Sequence, residues 1–218
     1  TAFDTVSITE PQQMLITGVV TNAGCFGDTT GAVNVTVTGG AGTLIYVWSN
    51  GDSTEDLTNV GAGLYTVVVT DSNACVKSAS FTVGQGEQIY VSLAVTPPVC
   101  NGGSSGSITS IVNGGVFPYT YTWSTATPQT GITAGGLKAG AYTVTVRDAA
   151  SCSVAVTDTI TDPPAIEVTT IATGARCYNT ATGSVITNVT GGTAPYTYLL
   201  NAVSQTGGVF TNLPEGDY

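Results

Sequence analysis

A single stretch of this sequence is written three times, and that repetition constrains the fold more than any other feature. From Cys25 the chain reads GAVNVTVTGG at 31–40, LIYVWSNG at 44–51 and VGAGLYTVVVTD at 60–71, then Cys75. From Cys100 it reads GSITSIVNGG at 106–115, YTYTWS at 119–124 and LKAGAYTVTVRD at 137–148, then Cys152. From Cys177 it reads GSVITNVTGG at 183–192, YTYLLN at 196–201 and LPEGDY at 213–218. The leading cysteines are 75 and 77 residues apart, and Met14, Ile89 and Ile166 each stand eleven residues before theirs. A period of this length means that each copy is one structural unit stacked along a chain. The units are expected at 10–84, 85–161 and 162–218, the last incomplete, with 1–9 as the last strand of a preceding unit. The Gly84–Gln85–Gly86 and Asp162–Pro163–Pro164 stretches mark the junctions, because glycine and proline break strand pairing.

Within each unit the apolar period is two. Val33, Val35 and Val37 face one way, with Asn34, Thr36 and Thr38 opposite. Leu44, Tyr46 and Trp48 match Tyr119, Tyr121 and Trp123, and then Tyr196, Tyr198 and Leu200. Tyr65, Val67 and Val69 match Tyr142, Val144 and Val146. Alternation over five to seven residues between Gly-rich turns predicts half-buried antiparallel strands. Six or seven short strands in one period predict an all-β chain of tandem small immunoglobulin- or fibronectin-like β-sandwiches, forming an extended array. The Leu-x-x-Gly-x-Tyr element predicts a tyrosine corner. Its aromatic neighbours are expected in the core.

Composition narrows the chemistry. The 39 threonines supply exposed strand faces, being β-branched yet able to bond water. Four Lys+Arg against fourteen Asp+Glu exclude a basic nucleic-acid binder. No apolar run is long enough to cross a bilayer as a helix, so membrane insertion is not expected. The absence of histidine removes the commonest general base and zinc ligand. No phosphate loop or serine elbow replaces them, so neither catalysis nor a cofactor is expected.

Five cysteines too widely spaced for a metal site predict disulfides in an oxidising compartment. Two frameworks each leave one cysteine over. Cys25–Cys75 and Cys100–Cys152 would close each unit, with Cys177 paired beyond the segment. Alternatively, Cys75–Cys100 and Cys152–Cys177 would close loops across the junctions. Strand parity favours the first: turns at 25–30, 39–43, 49–53, 61–63 and 71–75 put Cys25 and Cys75 at one end. An extra strand near 52–60 would reverse that count.

Together the residues Cys100–Asn101–Gly102, Gly114–Gly115, Pro118–Tyr119–Thr120–Tyr121–Thr122–Trp123, Gly140–Ala141–Tyr142–Thr143–Val144 and Cys152 resemble the SprB repeat. The first unit departs from it at Leu44–Ile45–Tyr46, and the third replaces the tryptophan with Leu200. The resemblance implies long surface adhesins of Bacteroidetes, export by type IX secretion, display at the cell surface and, in gliding members, movement along the cell. It also suggests O-glycosylation at Asp-Ser/Thr sites, here Thr5, Thr29, Ser53 and Thr159.

The expected function is a structural stalk segment of a secreted cell-surface adhesin or filament, holding a distal adhesive tip. Neighbouring repeats of the same chain are the expected partners, with surface polysaccharide and other filament subunits as further candidates. The alternative is a glycan- or surface-ligand-binding module acting through loops 49–56 and 124–135, where Trp48 and Trp123 would have to reach a sugar. Calcium at Asp52, Glu55, Asp56 and Asp71 is not expected to recur, since the second unit lacks equivalent acids. Lys77 and Lys138 occupy unrelated positions, which argues against a repeated isopeptide clamp.

Overall fold

A computed structural model describes residues 4–218, and every regular element among them is a β-strand. The first repeat contains β1 (Leu15–Thr21), β2 (Gly31–Thr38), β3 (Ile45–Trp48), β4 (Leu57–Val60), β5 (Gly63–Thr70) and β6 (Val76–Val83). They form two three-stranded sheets, β1-β2-β4 and β3-β5-β6, all pairs antiparallel. The second repeat gives β7 (Tyr90–Thr96), β8 (Gly106–Asn113), β9 (Thr120–Trp123), β10 (Thr133–Leu137), β11 (Gly140–Arg147) and β12 (Ser153–Ile160). Its sheets, β10-β8-β7 and β12-β11-β9, repeat the same order. The third repeat has β13 (Glu167–Thr173), β14 (Gly183–Thr190), β15 (Tyr198–Leu200), β16 (Val203–Gln205) and β17 (Val209–Leu213), in sheets β13-β14-β17 and β15-β16.

The period-two pattern becomes two facing layers. In the first repeat Met14, Val33, Val35, Trp48, Leu57, Val60, Val67, Val69 and Val83 form one buried cluster. Ile89, Ile108, Trp123, Ala134, Leu137, Val144, Val146 and Ile160 are buried in the second. Burial of a side chain of this size contributes about 1.5–3 kcal/mol. The third repeat buries only Phe210 among its large apolar side chains, and a groove of about 620 Å³ lies open beside Val168, Val185, Tyr198 and Phe210. Residues 162–218 contain no equivalent of β5 and β6 or of β11 and β12, the strands that close the other two cores.

No strand crosses 84–89 or 161–166. By compactness the chain groups into two units. One holds the residues up to Val91 with Val112–Tyr121 and Thr145–Ala155; the other holds Ser92–Ile111, Thr122–Val144 and Val156–Tyr218. Sheets therefore keep to single repeats, while the first compact unit also takes in one end of the second sandwich. Of the strand expected at 1–9, residues 1–3 lie outside the described residues, and residues 4–9 are exposed and form no strand. Its equivalents β6 and β12 are held by pairing with β5 and β11, and residues 4–9 make no such pairing among the described residues.

Two devices recur at matching positions. Gly39–Gly40 and Gly114–Gly115 both have positive φ. A side chain on Gly114 would fall on the Gln88 carbonyl, and one on Gly115 would meet Ile89 Cγ1 at 2.7 Å. That close approach explains why an apolar residue eleven before each cysteine accompanies a Gly-Gly turn. The tyrosine corner is present in all three repeats. The hydroxyls of Tyr65, Tyr142 and Tyr218 donate to the carbonyls of Gly61 (3.0 Å), Lys138 (3.1 Å) and Pro214 (2.8 Å).

Candidate functional site

The chain's covalent chemistry gathers in two kinds of loop, one around each leading cysteine and one around each trailing cysteine. The leading loop follows β1, β7 or β13. In each copy the residue before the cysteine donates its N–H to a hydroxyl six positions on: Gly24 to Thr30 (3.0 Å), Val99 to Ser105 (3.0 Å), Arg176 to Thr182 (2.9 Å). The cysteine carbonyl then closes a turn, accepting from Asp28 (3.1 Å), Gly103 (2.9 Å) or Thr180 (3.3 Å). Short polar side chains drive this, because they compete with sheet pairing for backbone groups.

The trailing loop is built on an aspartate. Asp71 and Asp148 are buried, and through Oδ1 each accepts the N–H of the cysteine four residues later, Cys75 or Cys152, at 2.9 Å. Their other oxygens accept from Ala41 (2.9 Å) and Val116 (3.0 Å) across the sandwich end. Ala74 and Ser151, just before these cysteines, take left-handed φ of 63° and 72°. The hydrogen bond from Cys75 N–H is the main cause holding the Asp71 carboxyl below the usual carboxylate range; burial opposes it, and the Ala41 and Asn73 bonds reinforce it.

A disulfide joins Cys25 to Cys152 (S–S 1.99 Å, Cα–Cα 5.5 Å), whereas Cys75, Cys100 and Cys177 are exposed thiols. This corrects the expected frameworks: neither Cys25–Cys75 with Cys100–Cys152, nor Cys75–Cys100 with Cys152–Cys177, is formed. The reason is β4. Paired antiparallel with β2, it runs in the same direction as β3, which pairs antiparallel with β5, so the reversal expected at 49–53 does not occur. Cys25 and Cys75 consequently lie at opposite ends of the sandwich, beyond bridging reach. Cys152 instead meets the leading loop of the preceding repeat, its sulfur 3.8 Å from the Gly24 carbonyl. Around that contact Gly27 N–H donates to Gln85 Oε1 (2.9 Å), Ala23 N–H to the Gly84 carbonyl (2.9 Å), and Gly84 N–H to Asn22 Oδ1 (2.8 Å). Gly86 packs so closely on Gly24 that an added Cβ would sit 2.6 Å from its carbonyl oxygen.

The second junction shares one of these bonds: Gly102 N–H donates to Asp162 Oδ2 (3.1 Å), and Asn101 Nδ2 adds a bond to the Pro163 carbonyl (2.9 Å). Pro98 stands where Ala23 does and has no N–H to contribute.

The other candidate residues lie apart from this site. Trp48 and Trp123 are buried, and their indole N–H groups donate to the carbonyls of Thr54 and Gly131, each at 2.9 Å. Neither presents a face for a sugar. Asp52 accepts from Ser53 N–H, Thr54 N–H and Thr54 Oγ1, and these bonds, led by Thr54 N–H, hold its carboxyl below the usual range. Asp56 binds Asn34 Nδ2 (2.9 Å) and Val35 N–H (2.8 Å). Glu55 lies against Tyr46, whose phenol is raised first by burial and then by that carboxylate. These acids are thus engaged separately in pinning loop 49–56. Thr5, Thr29, Ser53 and Thr159 are all exposed. The two loop aspartates escaped sequence reasoning as structural residues, although the shared Asp-x-x-x-Cys spacing carried the signal.

A family model described as SprB repeat matches residues 17–53, 92–128 and 169–205, together just over half of the chain. A comparison with curated proteins finds no match. Among solved structures, "Sidekick-1 immunoglobulin domains 1-5" is similar at 15% identity, covering 84% of this chain and 46% of that one, with a TM-score of 0.34. The N-terminal eight Ig domains of Down Syndrome Cell Adhesion Molecule are similar at 14% identity, covering 87% and 36%, with a TM-score of 0.39. Domains 4-9 of the surface layer protein SbsC are similar at 14% identity, covering 90% and 42%, with a TM-score of 0.28. This chain spans less than half the length of each of these three.

Proposed function

This chain belongs to the SprB repeat family, and we propose that within a repeat-containing surface protein it serves as a non-catalytic stalk segment. It carries tension between the cell and a distal adhesive tip. The observation that supports this reading is the disulfide from one repeat to the next, Cys25–Cys152, set among loops whose hydrogen bonds recur from copy to copy. A linker that only spaced two binding domains would need no covalent strap at its junction. Short junctions and like-charged, Thr-covered surfaces favour an extended arrangement that does not clump sideways. Export by type IX secretion to a bacterial cell surface, and a role in adhesion or gliding, complete the proposal and come from the family resemblance. Neighbouring repeats are the immediate partners, with surface polysaccharide or other filament subunits met at the tip or along the shaft.

Negative-stain microscopy of chains with increasing repeat number tests the proposal. An eight-residue strand spans ~27 Å, so each added repeat is expected to lengthen the particle by roughly 3–4 nm. Particles whose length stays constant as repeats are added would sink it.

A further inference from the structure

We propose that the Cys25–Cys152 bond is one instance of a rule for the whole array: the leading cysteine of each repeat is bridged to the trailing cysteine of the next. Under this rule Cys100 and Cys177 are leading cysteines whose partners belong to the third and fourth repeats, and Cys75 is a trailing cysteine whose partner belongs to a preceding one. The three exposed thiols are the three for which this sequence holds no such partner.

The loops that carry these cysteines are built whether or not the bond is made. Bridged Cys25 and unbridged Cys100 and Cys177 sit in the same turn, with the same N–H to hydroxyl bond before the cysteine. Bridged Cys152 and unbridged Cys75 sit in the same aspartate loop, each N–H 2.9 Å from its carboxylate and each preceded by a left-handed residue. The disulfide therefore does not impose these shapes; each half of the joint is formed in advance. The second junction also repeats the bond from the leading loop to the junction segment, Gly102 to Asp162 where the first has Gly27 to Gln85. Cys100 is accordingly held at its junction as Cys25 is, and a complete third repeat would bring the missing cysteine to it.

The consequence is an interleaved pattern. The loop closed by Cys25–Cys152 contains Cys100, so the next bridge starts inside the previous one. A single backbone cut between Cys100 and Cys152 would then be spanned by two bridges, and the fragments would stay joined.

Bridge formation transfers two electrons from two thiols to a small-molecule disulfide such as oxidised glutathione. One S–S bond forms in the protein, one breaks in the oxidant, and the thiol protons pass to the two released glutathione thiolates. The test extends the full chain after Tyr218 with a copy of residues 143–161, completing the third repeat and supplying a trailing cysteine. A second version uses residues 66–84 instead. Both are oxidised with glutathione disulfide, alkylated, cleaved without reduction and mapped by mass spectrometry. A cooperative melt, with one more closed core than the parent chain, reports that the third repeat has folded. The expected map joins Cys25 to Cys152 and Cys100 to the added cysteine, leaving Cys75 and Cys177 alkylated. The rule is overturned if the added cysteine joins Cys177, if Cys100 stays alkylated in both folded extensions, or if Cys25–Cys152 is absent.

Discussion

Ser110 occupies in β8 the place that Val35 occupies in β2, and its buried hydroxyl has no hydrogen-bond partner. A buried polar group left unpaired costs about 1–3 kcal/mol. Ser110→Ala is therefore expected to leave stability unchanged or raise it by up to ~1 kcal/mol, although it removes an atom from the core. A denaturant midpoint that falls by more than ~1 kcal/mol equivalent would show that the hydroxyl is satisfied. Asp71 is the opposite case, a buried carboxylate with every bond made. Its folded value lies below its unfolded one, so the unfolded chain binds more protons between the two. The stability it contributes is complete above the ordinary carboxylate value of about 4 and is lost as pH falls through that range toward the lowered value. Asp71→Asn should lower the melting temperature at neutral pH and flatten its decline in acid. An unchanged acid slope would remove Asp71 as a source of that decline.

Sandwich ends, rather than strands, separate one element from the next here. Tyr142 shows why: its ring is half-buried while its hydroxyl ties the turn before β11 to the sandwich through Lys138. Tyr142→Phe keeps the ring and loses one hydrogen bond, a change worth about 0.5–1.5 kcal/mol. The expected result is a lowered chemical midpoint with the slope of the transition unchanged. The Gly-Gly turn after β8 is less forgiving. Gly114→Ala puts a methyl against the Gln88 carbonyl at φ 73°, combining left-handed strain of order 1–3 kcal/mol with a clash against backbone that cannot rotate away. It should destabilise by at least ~2 kcal/mol, while alanine at Gly102, also at positive φ but with open space around it, should cost about 1 kcal/mol. Equal losses at the two sites would refute the close-approach argument.

Across the molecule, the bridge separates residues by 127 in sequence and shields the chain between them from tension applied at the ends. At ~3.3–3.6 Å per residue, reduction should release roughly 40 nm of extra contour when the oxidised chain is stretched by its termini. Force spectroscopy with and without reductant measures this directly. Equal contour lengths under both conditions would mean that the ends are not connected through Cys25 and Cys152.

Most strand positions, their facing residues and the repeat family were readable along the chain, because alternation of Val, Tyr and Trp with Thr is a local property and recurs at a fixed interval. Each tyrosine corner was legible for the same reason: the hydroxyl reaches a carbonyl only four residues back. Cysteine pairing was not legible, since it depends on how many times the backbone reverses between two distant residues. The short strand Leu57–Val60, whose Leu-Thr-Asn-Val carries no clear alternation, continues in the direction of Ile45–Trp48 on the other sheet, so one expected reversal is missing. Only the folded chain, with β4 laid against β2, decides that Cys25 turns away from its own unit and meets Cys152 of the next.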